Sequence, residues 1–149
     1  MKNHLKHLKW PAMLCVAWMG LAPAAHAVLP ITQWQQASGA QVYLVESRNI
    51  PMVDVQIDLD AGSRRDPADK PGLASVAAGQ LASGIRAQPG GQGPYAKALH
   101  ENQLGEAWAD LGASFGASVS GDRLSFSLRS LSDTELLDKA VQLAARQMA

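Results

Sequence analysis

Alternating apolar and polar residues are clearest between Met52 and Asp60. Val53, Val55, Ile57 and Leu59 alternate there with Asp54, Gln56, Asp58 and Asp60. Successive side chains of a strand point to opposite faces, so this pattern predicts a strand with one face on a core and the other in water. The run from Gln41 to Ser47 is apolar on both faces, which predicts a buried strand. Because a short link joins the two strands, we expect them to pair antiparallel.

Two segments in the middle of the chain have helical spacing. The first is an Ala-rich helix from Leu73 to Ala82, with a stripe formed by Leu73, Val76, Ala77 and Leu81. The second runs from about Ala96 to Leu111 and has Leu104, Trp108 and Leu111 at i, i+4 and i+7. Between them, the Gly- and Pro-rich run from Gln88 to Pro94 is typical of a flexible loop.

A hairpin and a third helix complete the pattern. The strands Ala113 to Val119 and Arg123 to Ser130 flank a Ser-Gly turn, which predicts a β-hairpin. Ser132 and Glu135 have the spacing of a capping box, with Ser132 as the cap. The helix that follows still runs at Ala149 without Gly or Pro, so we expect the natural protein to continue. The whole pattern predicts an α+β fold, with helices packed on one face of an antiparallel sheet and incomplete at the C-terminus.

The first 27 residues have the pattern of a secretory signal peptide. Three lysines precede an apolar stretch from Trp10 to Leu21, and the segment ends in an A-x-A site at Ala27. We predict cleavage near Ala27 and a periplasmic or secreted protein with no stable membrane span in its mature form. An uncleaved N-terminal anchor is the alternative. Residues 28–37 then form a lead segment, and residues 38–149 form the domain.

Removal of the signal changes both the charge and the available chemistry. The full chain has a formal net charge of zero, and loss of three lysines leaves ten Lys and Arg against thirteen Asp and Glu, about −3. This balance argues against a nucleic-acid partner. Cys15, the only cysteine, is lost, and His100 is the one remaining histidine. A catalytic zinc site takes about three protein ligands, usually including two or more His or Cys. We therefore expect no metal site in this chain and a surface position for His100.

Four segments resemble the N-terminal domain of the insulinase, pitrilysin and mitochondrial-processing-peptidase family. They are Ser38 to Glu46, Asp60 to Pro67, Pro71 to Ala74, and Leu111 to Leu131. The resemblance covers about Trp34 to Ala149, nearly all of the predicted mature chain. It implies the α+β fold of the LuxS and processing-peptidase type of metallopeptidase.

Members of this family that cleave peptides carry the motif H-x-x-E-H directly after a Gly-Leu-Ala element. Its two histidines bind zinc, and its glutamate activates the metal-bound water. In this chain Ser75 and Gly79 stand at the histidine positions, and Ala78 stands at the glutamate position. The family's third ligand, a glutamate, is expected beyond Ala149. None of the three residues supplies a zinc ligand or a general base, so the chain is not expected to be active alone.

These observations predict a non-catalytic zinc-peptidase homologue. The resemblance implies that inactive and active members pair and enclose a chamber for peptides, with the strand from Met52 to Asp60 in its wall. We therefore expect an active, exported, zinc-containing homologue as partner, and peptides that are processed or degraded as substrates. Two alternatives stay open. One is a zinc metalloendopeptidase whose site is completed outside this sequence or in trans, and the other is a stand-alone scaffold that binds peptides at a strand edge.

Overall fold

The computed structural model describes residues 30–149, so the predicted signal peptide and its cleavage near Ala27 lie outside the described residues. The described chain divides into two units, residues 30–47 and Arg48–Ala149. The first unit is a hairpin in which β1 (Ile31–Gln35) pairs antiparallel with β2 (Gln41–Val45). Gly39 has φ +89° in its turn, a conformation that glycine adopts readily.

The predicted pairing of β2 with the next strand is wrong. Residues in the lead segment form β1, and the short turn at Gly39 brings β1 beside β2 at little loop-closure cost. The predicted burial of β2 is also wrong, because Tyr43 and Leu44 are 66% and 43% exposed. A two-stranded hairpin has no layer of its own to cover either face.

The second unit is built on a three-stranded antiparallel sheet. Its strands are β3 (Met52–Leu59), β6 (Ser114–Val119) and β7 (Leu124–Leu131), and their order in the sheet is β3–β7–β6. The predicted hairpin is confirmed as β6 and β7, with a turn closed by the Ser120 N–H donating to the Arg123 carbonyl at 2.8 Å. β7 is the central strand, and its long-range pairing with β3 places Val55 opposite Leu128.

Three helices and a small two-stranded sheet complete this unit. They are α1 (Leu73–Gln80), β4 (Gly84–Ile85), β5 (Leu99–His100), α2 (Glu101–Asp110) and α3 (Thr134–Met148). Short 3-10 turns cover Ser63–Arg65 before α1 and Leu81–Ser83 after it. The predicted α+β class with antiparallel sheets is confirmed.

The predicted starts of α2 and α3 need correction. α2 begins at Glu101 and not near Ala96, because the preceding two residues pair with β4 and the Gln103 side chain accepts the His100 N–H at 3.0 Å. Asp133, not Ser132, caps α3: its carboxylate accepts the N–H groups of Glu135 and Leu136 at 3.1 and 3.0 Å. The Ser132 N–H instead donates to the Pro51 carbonyl, so Ser132 belongs to the end of the strand.

The core lies between the sheet and the helices α2 and α3. Its buried members are Ile85, Leu104, Trp108, Leu111, Leu128, Ala140, Leu143 and Ala144. The predicted core face of the second helix is therefore confirmed. Trp108 stacks on Phe115 of β6 at 5.8 Å between ring centroids, and Phe115 stacks on Phe126 of β7 at 6.0 Å. Such offset aromatic pairs add to the energy of area burial.

The apolar face predicted for β3 is not buried in the described chain. Val55, Ile57 and Leu59 remain 38–44% exposed, whereas their neighbours Leu128 and Phe126 on β7 are buried. α3 packs on β7, and the cover that it provides does not extend to β3. Among residues 30–149, none of the helices has the length and hydrophobicity that a membrane span requires.

Candidate functional site

The start of α1 is held by a carboxylate from the preceding loop. Asp66 accepts the N–H of Gly72 at 2.8 Å and the N–H of Ala74 at 2.9 Å. The first N–H groups of a helix have no partner within it, so this side chain satisfies donors that would otherwise face water. Gly72 has φ +88°, a left-handed conformation, and it turns the chain into the helix. The sequence pattern does not reveal Asp66 as a cap, because it lies six residues before Gly72, the residue that precedes the helix.

Replacing Asp66 by Ala is expected to loosen the first turn of α1 and to cost about 1–2 kcal/mol, the usual range for a lost cap. Amide hydrogen exchange along α1 measures this directly, and protection should fall at Ala74 and Val76. Asp69→Ala is the matched control, because the described structure gives Asp69 no hydrogen bond. Equal protection of α1 in both variants would contradict the capping role.

The buried face of α1 differs from the predicted one. Leu73 and Val76 of the predicted core stripe are 46% and 62% exposed, whereas Ala74 and Ala78 are half-buried. α1 lies beside β6, and the two alanines allow a close approach to it. The helix is apolar almost all round, so the spacing of its large residues does not select the buried side.

The three residues predicted to occupy the motif positions lie together on this helix. Ser75 and Gly79 are one turn apart and exposed, and Ala78 is half-buried. A Cβ built on Gly79 would meet no atom within 4 Å, so there is open space outside the helix. His100 is exposed at the start of α2, as expected for a surface residue. Across residues 30–149, no group of three or more His, Cys, Asp or Glu could hold a metal ion.

A ladder of charge pairs crosses the polar face of the sheet. Arg129 of β7 binds Asp54 of β3 with both arms, from Nε to Oδ1 at 2.6 Å and from Nη2 to Oδ2 at 3.1 Å. This hydrogen bonding lowers the pKa of Asp54 and raises the pKa of Arg129. Asp58 accepts the Ser125 hydroxyl at 2.6 Å and an Arg123 N–H at 3.2 Å. Solvent screens these exposed pairs, so they contribute little to stability. Their main effect is on which charged groups the face presents.

A shallow depression of about 440 Å³ lies on this polar face. Its polar lining comes from Asp54, Gln56, Ser114, Ser127 and Arg129. Since the charges of Asp54 and Arg129 are mutually paired, the surface offers hydroxyl, amide and charged groups without a large net charge. The sequence predicted a solvated face for β3, but the arginines that pair with its carboxylates lie 65 and 75 residues away.

Comparison with solved structures identifies similar folds. A peptidase M16 inactive domain from Pseudomonas fluorescens matches with a TM-score of 0.68 and 30% identity, over 81% of this chain and 26% of that one. A protease from Helicobacter pylori matches with a TM-score of 0.60 and 20% identity, over 81% of this chain and 26% of that one. The periplasmic protease PqqL from Escherichia coli matches with a TM-score of 0.59 and 21% identity, over 80% of this chain and 12% of that one.

The last two similarities concern the fold alone. The chain spans about a quarter of the first two structures and a smaller share of the third. No family model matches the sequence. No curated protein matches it either.

Proposed function

Because this chain belongs to the M16 peptidase family, which is the insulinase family, we propose that it is part of a non-catalytic homologue that pairs with an active, exported zinc peptidase of the same family. One observation carries this proposal. Helix α1 is capped and lies beside β6, and it carries Ser75, Ala78 and Gly79 where the family resemblance implies the two zinc ligands and the base. The helix keeps a packing role, and the zinc of the complex belongs to the partner.

The polar face of the β3–β7–β6 sheet is the surface that this subunit contributes to peptide binding. The depression beside Asp54 and Arg129 supports this role, because it presents hydroxyl and amide groups next to exposed charges. These groups suit the backbone and polar side chains of a peptide. Processing or degradation of that peptide takes place at the partner's zinc.

The complex is placed in the periplasm or outside the cell. The signal-peptide pattern of residues 1–27 supports this location. One fold neighbour is described as a periplasmic protease, which is consistent with it.

Zinc content tests the catalytic part of this proposal. The wild-type chain should retain no stoichiometric zinc after dialysis, as measured by plasma mass spectrometry. In a titration with added zinc, Ser75→His combined with Gly79→His should bind zinc more tightly than the wild type, because two histidines one helical turn apart present both rings on one side. Ser75→His combined with Val76→His is the matched control, since adjacent helix positions do not face each other.

Two outcomes would overturn this part of the proposal. Stoichiometric zinc in the wild-type chain would show a metal site of its own. Zinc binding by the adjacent-histidine control equal to that of the spaced pair would show that α1 does not present positions 75 and 79 together.

Recovery of the partner tests the pairing. The tagged protein should co-purify from the periplasmic fraction with a homologue that carries an intact H-x-x-E-H motif, identified by mass spectrometry. Purification that yields the tagged protein as a monomer, with no such homologue, would reject the pairing.

A further inference from the structure

The loop between β4 and β5 is anchored by one arginine of α3. Arg146 donates from Nε to the Tyr95 carbonyl at 3.2 Å and from Nη2 to the Arg86 carbonyl at 2.5 Å. Within the loop, the Gln88 N–H donates to the Ala96 carbonyl at 2.8 Å. The Gly- and Pro-rich segment is irregular as predicted, but both of its ends are tied to the helix.

A shallow, open cavity of about 380 Å³ lies between this loop and α3. Its polar side chains are those of Gln88, Gln92, Gln142, Tyr95 and Arg146. Gly93, Pro94, Ala96, Ala145 and Ala149 supply the rest of its wall. The lining therefore combines three primary amides, one phenol and one guanidinium. It contains no Asp or Glu side chain, and its carboxylate is the α-carboxylate of Ala149, the last residue of the sequence.

The positive charge of Arg146 has no carboxylate partner in the described residues. Its hydrogen bonds go to two carbonyl oxygens, which leaves further N–H donors of the guanidinium unused. Two acids lie near the lining: Asp138 accepts a hydrogen bond from the Gln142 side chain at 2.7 Å, and Asp110 adds to the effect of burial in raising the pKa of Tyr95. A half-buried guanidinium with fixed geometry and no counter-ion favours an anion, and its planar fork matches a carboxylate.

We propose that this cavity binds a carboxylate group, with Arg146 as the charge partner and the side-chain amides of Gln88, Gln92 and Gln142 as additional donors. Two sources share this chemistry: the C-terminus of a peptide and a free small organic acid. The site is separate from α1 and from the polar sheet face, so it does not depend on the proposed pairing.

Nuclear magnetic resonance of the full chain labelled with nitrogen-15 tests the site. The probes are N-acetyl-Ala-Ala with a free carboxylate, the same peptide as its C-terminal amide, and succinate, all at matched ionic strength. Saturable shifts are expected at the side-chain N–H signals of Arg146 and Gln142 with the two carboxylates and not with the amide. Tighter binding of the peptide assigns the source to chain termini, and tighter binding of succinate assigns it to free acids.

Variants separate binding at the cavity from general charge effects. Arg146→Gln should weaken carboxylate binding at least about tenfold, as expected for loss of a charged hydrogen-bond partner. Arg86→Gln removes the same charge outside the lining, and it should bind within about twofold of the wild type. Gln142→Ala leaves the Arg146 anchor of the loop in place, so it tests the cavity even if Arg146→Gln disturbs the fold, and it should weaken binding measurably. Unchanged binding in both cavity variants, or equal binding of the amide peptide, would overturn the proposal.

Discussion

Gly62→Ala is expected to destabilise the second unit by about 3 kcal/mol or more, near the upper end for overpacking of a closely packed site. A Cβ at this position would come within 3.0 Å of backbone atoms of Gly121, Asp122 and Arg123 in the β6–β7 turn. Backbone cannot rotate away as a flexible side chain can. The close approach is maintained by the Ser63 and Arg64 N–H groups, which donate to the turn carbonyls at 2.9 and 2.8 Å.

The conformation of Gly62 is not the reason for this effect. Its φ is −77° and its ψ is 177°, which any residue adopts, so space alone excludes a side chain. Gly79→Ala is the matched control: nothing lies within 4 Å of its Cβ position, and the substitution should stabilise α1 by about 1 kcal/mol. Urea unfolding of the two variants should shift the midpoint in opposite directions. A neutral Gly62→Ala variant would show that the loop and the turn do not touch.

Gln147→Leu is expected to cost about 2–4 kcal/mol, although it replaces a polar residue by an apolar one in a buried position. The Gln147 side chain is 8% exposed, and it accepts the Trp108 indole N–H at 2.9 Å and donates to the Leu81 carbonyl at 2.7 Å. Leucine would leave one donor and one acceptor without partners at the junction of α2, α3 and the end of α1. Each unpaired buried group costs about 1–3 kcal/mol.

Two further variants, measured by chemical denaturation, establish the origin of this loss of stability. Gln142→Leu changes an exposed glutamine of the same helix, and it should alter the free energy of unfolding by no more than about 0.5 kcal/mol. Combining Trp108→Phe with Gln147→Leu also removes the orphaned indole N–H. The stability losses of the two single variants should therefore sum to more than the loss of the double variant. Simple additivity would mean that the bridge contributes nothing as a pair.

Several predictions of local structure are confirmed because they depend on neighbours in the chain. Leu104, Trp108 and Leu111 are buried as their spacing predicts, and the hairpin β6–β7 forms around its Ser-Gly turn. A hairpin register and an amphipathic stripe are both set within about ten residues, so periodicity and turn chemistry suffice to predict them. The identities of Ser75, Ala78 and Gly79 require no fold to be read, and their assignment to the zinc-motif positions stays a prediction.

Contacts between distant segments were decided by the tertiary structure. The pairing of β3 with β7, the Gln147 bridge and the Arg146 anchor join residues 39 to 79 positions apart. A local sequence pattern does not predict such partners, because a given donor or acceptor is compatible with many different partners. For α1, the uniformly apolar composition does not indicate which face is buried. Only packing against β6 determined that Ala74 and Ala78 face inward and Val76 faces out.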